Sequence, residues 1–394
     1  MTTRRAYGLT LLAALTYTSL MFCWFTLPAY LPTIRQELAL TGTQAGLVAG
    51  AVPLVYIPLA LVSGLVVDRV GAGRSLSVGL AIVAVAQMAR SVAGGFPSLL
   101  AATLLLGVGA TAITFGLPKL VSTLFPAGET GAASSLYLLC ASAGTAGAFS
   151  VGRPILGPAL GGWRPLFLAS GAVALGHAFV WVLVARPAVP EAETDSGLVL
   201  APLTPDLRAT RANPALRPVV VLGVVYLSVL HGLQGWLPTI LESRGMASGT
   251  AGQTATLLVV ANAAGILTIP VLADRYDARR VAVVCCGAAV AVGVATIART
   301  GVGVALLAGI VCTGLGVGGL SPLVRAIPPE LDGIGPRLTG VAVGFVFAGG
   351  EVGGFGGPVV IGALYDATGT YATGLGLLCL GGLAAVAAGA RLDG

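Results

Sequence analysis

Two ionisable side chains stand at depths where ionisable side chains are rare. Arg153 falls nine residues before Gly162, inside a long apolar run. At about 1.5 Å per residue that sets it roughly 13 Å below the end of the run. Glu351 falls thirteen residues past Leu338 and fifteen before Asp366, with Gly349, Gly350, Gly353 and Gly354 around it. A charge at mid-depth in lipid is expensive, so it faces a cavity and acts there. A guanidinium presents a planar fork that matches a carboxylate or similar oxyanion, which makes Arg153 a candidate anion site. The alternative is a structural pair with a buried acid. For Glu351 three roles stay open: proton carrier, favoured by desolvation of its carboxylate; ion-pair partner of Arg153; or direct substrate contact.

The remaining polar candidates are weaker. Lys119, the one lysine of the chain, stands about two turns inside Pro126, close enough to reach the membrane surface along its stem or to serve a cavity. Arg325, three residues before Pro328, reads as a snorkelling side chain or a gate contact, and Arg90 and Arg299 as anchors at segment ends. His231 and Gln234 lie one helical turn apart, and Asn262 falls in the next apolar segment. A lone histidine in a helix is more often a packing residue than a ligand or proton group. No phosphate-binding G-x-x-x-x-G-K-[ST] loop, Ser-His-Asp set or metal-ligand cluster is present, so the sequence excludes an ATP-driven pump and offers no site for enzyme chemistry or a cofactor. The six cysteines all sit in apolar stretches without ligand spacing and read as small core residues.

These residues are carried by elements that only a bilayer can accommodate. Hydrophobic residues make up 56% of the 394 positions and charged ones 9%, too little polar surface for a soluble globule of this length. Apolar segments long enough to span fall near 7–32, 45–67, 75–92, 98–125, 131–160 and 164–185, then near 218–240, 250–273, 281–298, 301–325, 338–364 and 372–390. The run after Arg4 and Arg5 is longer than a signal-peptide core and reads as an uncleaved first helix. Pro-rich, charged residues 187–217 cannot cross lipid and form a linker between halves 1–186 and 218–394. Thirteen basic residues on the side of both termini against five on the other place the termini in the cytoplasm, in a multi-pass inner-membrane protein. The net charge of +6 is spread over segment ends and signals interface anchoring, not nucleic acid.

The halves repeat. Gly64-Leu65-Val66-Val67-Asp68-Arg69-Val70-Gly71-Ala72-Gly73-Arg74 recurs at Pro270 to Arg280, so that Asp274, Arg275 and Arg280 follow Asp68, Arg69 and Arg74 at an offset of 206 residues. The same offset carries Leu31-Pro32-Thr33-Ile34 onto Leu237-Pro238-Thr239-Ile240. The first copy resembles the G-x-x-x-D-R-x-G-x-x-R loop signature of the major facilitator superfamily, and the resemblance covers essentially the whole chain. The second copy departs from it with Pro270 and Asp277 in place of glycines. Gly107-Val108-Gly109 before Leu117-Pro118-Lys119, Trp236-Leu237-Pro238, Gly314 to Gly319 before Pro322, and Ala89-Arg90 are similar to motifs of the cyanate and nitroimidazole permease group. Gly144 with Gly157-Pro158-x-x-Gly161-Gly162 resembles the fifth-helix pattern of proton-coupled antiporters, with Arg153 where that pattern has glycine.

The resemblance implies an all-α membrane protein of twelve transmembrane helices, in two six-helix bundles related by pseudo-two-fold symmetry. It implies a monomer without cofactors that moves cargo by alternating access. Helices 1, 4, 7 and 10 of the superfamily line the cavity, flanked by 2, 5, 8 and 11, which brings Trp24, Tyr30, Tyr56, Lys119, His231, Gln234 and Asn262 to the substrate beside Arg153. Gly64, Asp68, Arg69, Gly71, Arg74, Asp274, Arg275, Arg280 and Arg337 take the place of the cytoplasmic gate, with Asp68 set against the start of helix 11 near Arg337. The expected cargo is a small organic or pseudohalide-like anion, with a proton as co-substrate. A proton-coupled drug exporter is the alternative, and a non-transporting membrane receptor a third reading.

Overall fold

The computed structural model describes residues 3–126, 128–189, 203–331 and 333–392. Among the described residues, twelve helices are long and apolar enough to cross a membrane. They are α1 Thr3–Glu37, α2 Gly42–Val70, α3 Ala72–Ser91, α4 Phe96–Leu124, α5 Thr130–Leu160 and α6 Trp163–Ala185. After them come α7 Leu216–Ser243, α8 Ser248–Arg275, α9 Arg279–Arg299, α10 Val304–Ala326, α11 Pro336–Thr368 and α12 Ala372–Gly389. No strand occurs among the described residues. The linker is less plain than its prolines suggest, because Leu203–Ala212 forms a short helix; Glu191, Glu193 and Asp195 lie outside the described residues.

The chain divides into two compact units: Met1–Tyr30 with Pro58–Val199, and Leu31–Ile57 with Leu200–Gly394. Residues 31–57, the end of α1 and the start of α2, therefore belong with the second unit. Their attachment is specific. Thr41 and Gln44 form a capping box, each backbone N–H donating to the other's side chain at 3.1 Å. Asp366 of α11 then accepts from the N–H of Gly42 at 2.6 Å and from the N–H and hydroxyl of Thr43, both at 2.7 Å. The carboxylate closes donors that a helix start leaves open.

Within each unit, glycine sets how closely helices approach. In the first, a Cβ on Gly79 of α3 would lie 2.8 Å from the Gly109 carbonyl of α4. In the second, a Cβ on Gly309 of α10 would lie 2.9 Å from the Gly293 carbonyl of α9. Such contacts suit lipid, where association comes from packing rather than from hydrophobic exclusion.

The repeated turns show what the sequence departures mean. Gly71, between α2 and α3, takes φ +88°, and its counterpart Asp277 takes φ +47°. Both φ values are positive, a sign that aspartate adopts more readily than most residues. The second turn therefore keeps a positive φ without the glycine, although three residues separate α8 from α9 where Gly71 alone separates α2 from α3.

The α8–α10 contact gives a test. A Cβ on Gly318 would strike the backbone carbonyl of Asn262, whereas one on Gly376 of α12 meets nothing. Gly318→Val is expected to cost about 1–3 kcal/mol through overpacking, read as a lower thermal midpoint, while Gly376→Ala leaves the midpoint unchanged or slightly raised.

Candidate functional site

In the first unit the site centres on Arg153. Residues Ala148–Leu156 of α5 wind as a π-helical turn, and the Gly157 N–H accordingly reaches back to the Gly152 carbonyl. In that register the Arg153 carbonyl faces Pro158, which has no N–H to donate. Tyr30 of α1 supplies the missing donor: its hydroxyl donates to the Arg153 carbonyl at 3.2 Å. The Arg153 guanidinium lies over the Tyr30 ring, 4.3 Å from its centroid, and the residue is 7% exposed. Gly157 makes room for this, since any Cβ there would collide with the Tyr30 hydroxyl. Gly161 and Gly162, at φ +93° and +130°, then end the helix. The Gly-Pro-x-x-Gly-Gly string thus seats a tyrosine and terminates α5. Long π turns of this kind mark functional positions. Trp24, buried on α1, stacks on Phe25 at 5.2 Å and so joins the aromatic wall of the same unit.

Lys119 is placed by an acid. Its ammonium stands 2.7 Å from Asp68, both side chains about half exposed, so the signature aspartate has a cation partner inside its own unit. Arg69 and Arg74 are exposed. Arg90 differs from its reading as an interface anchor. It is wholly buried, donating to Thr103 at 3.1 Å, to the Cys23 carbonyl at 3.0 Å and to Gln87 at 3.2 Å, while its Nη2 has no partner. Gln87 continues the network to Thr26 and Ser170, both at 3.1 Å. A buried guanidinium is tolerated when such acceptors converge on it. The sequence signal was Gln87, one helical turn before Arg90 at the end of the apolar stretch 78–86.

In the second unit Glu351 of α11 is 4% exposed, and its Oε2 is buried without a hydrogen-bond partner. His231 of α7 is on the same side of α11, as both side chains approach Gly354. Arg325 of α10 brings its charge to bear on Glu351 and lies 5.9 Å from the Phe347 ring, against which Tyr56 packs edge-on at 6.1 Å. Gln234 is buried, and Asn262 on α8 keeps a buried Nδ2 without a partner. Glu351, His231 and Arg325 therefore converge; Gln234 and Asn262 have no contact with them among the bonds described.

The second copy of the turn pairs differently from the first. Asp274 accepts from Arg279 Nε at 2.8 Å, Arg280 donates to the Ala390 carbonyl at 2.7 Å, and Arg275 lies 6.0 Å over the Tyr276 ring. Gly64 is open to space, and the side chain of Arg337 lies outside the described residues. At the other end of this unit an open cavity of about 510 Å³ is lined by Arg244, Arg299, Tyr365 and Tyr371. Tyr371 accepts from Arg35 at 3.1 Å, and burial pushes its phenol up to about 12. This cavity is some 20 Å along α11 from Glu351 and shares no residue with the buried cluster.

The family description "Major Facilitator Superfamily" matches residues 13–331 and 235–392. A 3-(3-hydroxy-phenyl)propionate transporter of Escherichia coli is 30% identical over 345 residues, 87% of this chain and 82% of its own length. A 2-nitroimidazole transporter of the same organism is 28% identical over 255 residues, 64% of this chain and 61% of its own. The crystal structure of a bacterial homolog of the human lysosomal transporter Spinster, inward-facing and unoccupied, superposes with a TM-score of 0.77 at 16% identity, covering 100% of this chain and 97% of that one. The last shares the fold.

If Lys119 serves Asp68, a double-mutant cycle of Lys119→Ala and Asp68→Asn on thermal stability returns a coupling of about 0.2–1 kcal/mol that shrinks in high salt. Strict additivity would show that the two charges do not interact.

Proposed function

The chain belongs to the major facilitator superfamily of secondary transporters, and from that premise we propose that its cargo is a small organic anion, moved by alternating access with a proton as co-substrate. It is a multi-pass membrane protein and not an enzyme. Residues 1–186 and 218–394 act as the moving halves of a monomer whose termini are cytoplasmic. The cyanate and nitroimidazole permease group is the subgroup whose short motifs it carries, a reading supported by the partial likeness to the 2-nitroimidazole transporter.

The observation that carries the anion reading is Arg153, buried and stacked on Tyr30. Tyr30 holds the residue at two places, its ring facing the guanidinium and its hydroxyl bonded to the main-chain carbonyl. The planar fork is thereby preorganised, and less rotamer entropy is lost when a carboxylate docks. The hydroxyphenylpropionate named for the 30% identical relative is such a carboxylate with an aromatic body, for which Trp24 and Tyr30 offer ring faces. Glu351 carries the proton. A ligand shifts only an equilibrium whose two states it binds unequally, so anion and proton must each prefer one state of the cycle.

Proteoliposomes loaded with 3-(3-hydroxyphenyl)propionate, benzoate or acetate and tested for exchange of radiolabelled anion check this. Arg153→Ala is expected to weaken anion affinity about 10- to 100-fold, the worth of a charge-assisted hydrogen-bond pair, and Arg153→Lys to recover part of it. Unchanged affinity in Arg153→Ala would remove Arg153 from the site. Extrusion of lipophilic cationic dyes without anion exchange would establish the drug-exporter reading instead.

A further inference from the structure

We infer that Glu351 and His231 form one proton-binding pair, seated in a gap that Gly354 holds open. The inference rests on the proton-coupled transporter reading and assigns His231 to the proton rather than to the cargo. A Cβ built on Gly354 would lie 2.7 Å from His231 Nδ1, 2.8 Å from Glu351 Oε2 and 3.3 Å from Pro53 Cβ. The first two distances bound the separation of Nδ1 and Oε2 at about 5.5 Å. Glu351 Oε2 takes no direct bond from the imidazole, so the span is closed by one bridging water, which needs two bonds of ordinary length. Glu351 Oε2 is fully buried and receives no hydrogen bond. Leaving such an oxygen without a donor is costly, and a proton held between it and the imidazole removes that cost.

The surrounding helices fix the pair tightly. A Cβ on Gly353 would strike the Val224 carbonyl, and one on Gly357 the Ser228 carbonyl, so α7 and α11 are in backbone contact on either side of the gap. The groups facing the pair are few. From α10 comes the charge of Arg325. From α2 come Pro53, which has no titratable group, and Tyr56, which packs on Phe347. The titratable group of α12, Cys379, is turned to the Ala291 carbonyl of α9. Arg325 is therefore the fixed charge that faces the pair.

The charge balance follows. With one proton on Nδ1 or Oε2, the pair is neutral overall, whichever atom holds it. When the O–H or N–H bond breaks, the proton passes to a water oxygen and leaves a carboxylate beside a neutral imidazole. The resulting single negative charge is balanced by Arg325. One proton per cycle thus changes the charge of the pair by one unit without stranding an unpaired ion in the low-dielectric interior.

Two measurements on the full chain test the pair. In proteoliposomes, anion exchange is compared with accumulation driven by an imposed pH gradient. Glu351→Gln and His231→Asn, the latter keeping a neutral amide near the Nδ1 position, should each lose gradient-driven accumulation out of proportion to exchange. The double variant should lose no more than either single one, as expected of groups acting as one unit. Gly354→Ala, which fills the gap, should do the same, while Gly376→Ala, whose added methyl meets nothing, should not. The second measurement needs no cargo: the infrared carboxylic C=O band absent in Glu351→Gln should move its pH midpoint by about one unit or more in His231→Asn. A band and a coupling ratio both unaffected by His231→Asn would overturn the pair while leaving Glu351 as a lone carrier. A wild-type protein that exchanges no anion but shows the shifted band would overturn the cargo reading and leave the pair standing.

Discussion

Within a bilayer no water is on hand to satisfy a backbone carbonyl or a charge, and every such group must find its partner inside the chain. The Arg153 carbonyl shows how far this requirement reaches. A π-helical register aligns it with Pro158, the one residue type that cannot donate, and the Tyr30 hydroxyl is drawn in to replace the lost bond. That replacement brings an aromatic ring under the guanidinium. Gly157 is required because the hydroxyl occupies the space of its side chain. A backbone defect, an aromatic residue from another helix and a glycine thus together hold the Arg153 charge in place.

The buried charges meet the same requirement in different ways. Arg90 gathers neutral acceptors, namely a hydroxyl, a carbonyl and an amide, and so belongs to the scaffold. Arg153 is stacked on Tyr30, whose hydroxyl also bonds its main-chain carbonyl. Glu351 keeps an oxygen without a donor, beside a histidine and under the charge of an arginine. A satisfied network rigidifies, whereas an incompletely satisfied one leaves room for an exchangeable partner. The distinction separates the structural arginine from the residues assigned to transport.

The duplicated turns share little beyond a positive φ. Gly71 and Asp277 both have one, yet Asp68 is paired with Lys119 of a neighbouring helix while Asp274 is paired with Arg279 only a few residues on. Both turns reverse the chain between packed helices, one through a single residue and the other through three. The ion pairs lie at half-exposed positions, where each is worth little and is free to be exchanged for another.

The fold could be read from the sequence, because spanning length and the polarity of connecting segments follow directly from the thickness and polarity of the bilayer. The place of Glu351 midway along its apolar segment, and of Arg153 inside another, could be read for the same reason. What only the tertiary structure decided is which groups meet across helices. Arg90 looked like an anchor, because segment position gives depth but not the face on which a side chain lies. Tyr30 could not be matched to Arg153, nor His231 to Glu351, since those pairings depend on the rotation and close approach of separate helices. That approach is set by where glycines let one backbone touch another.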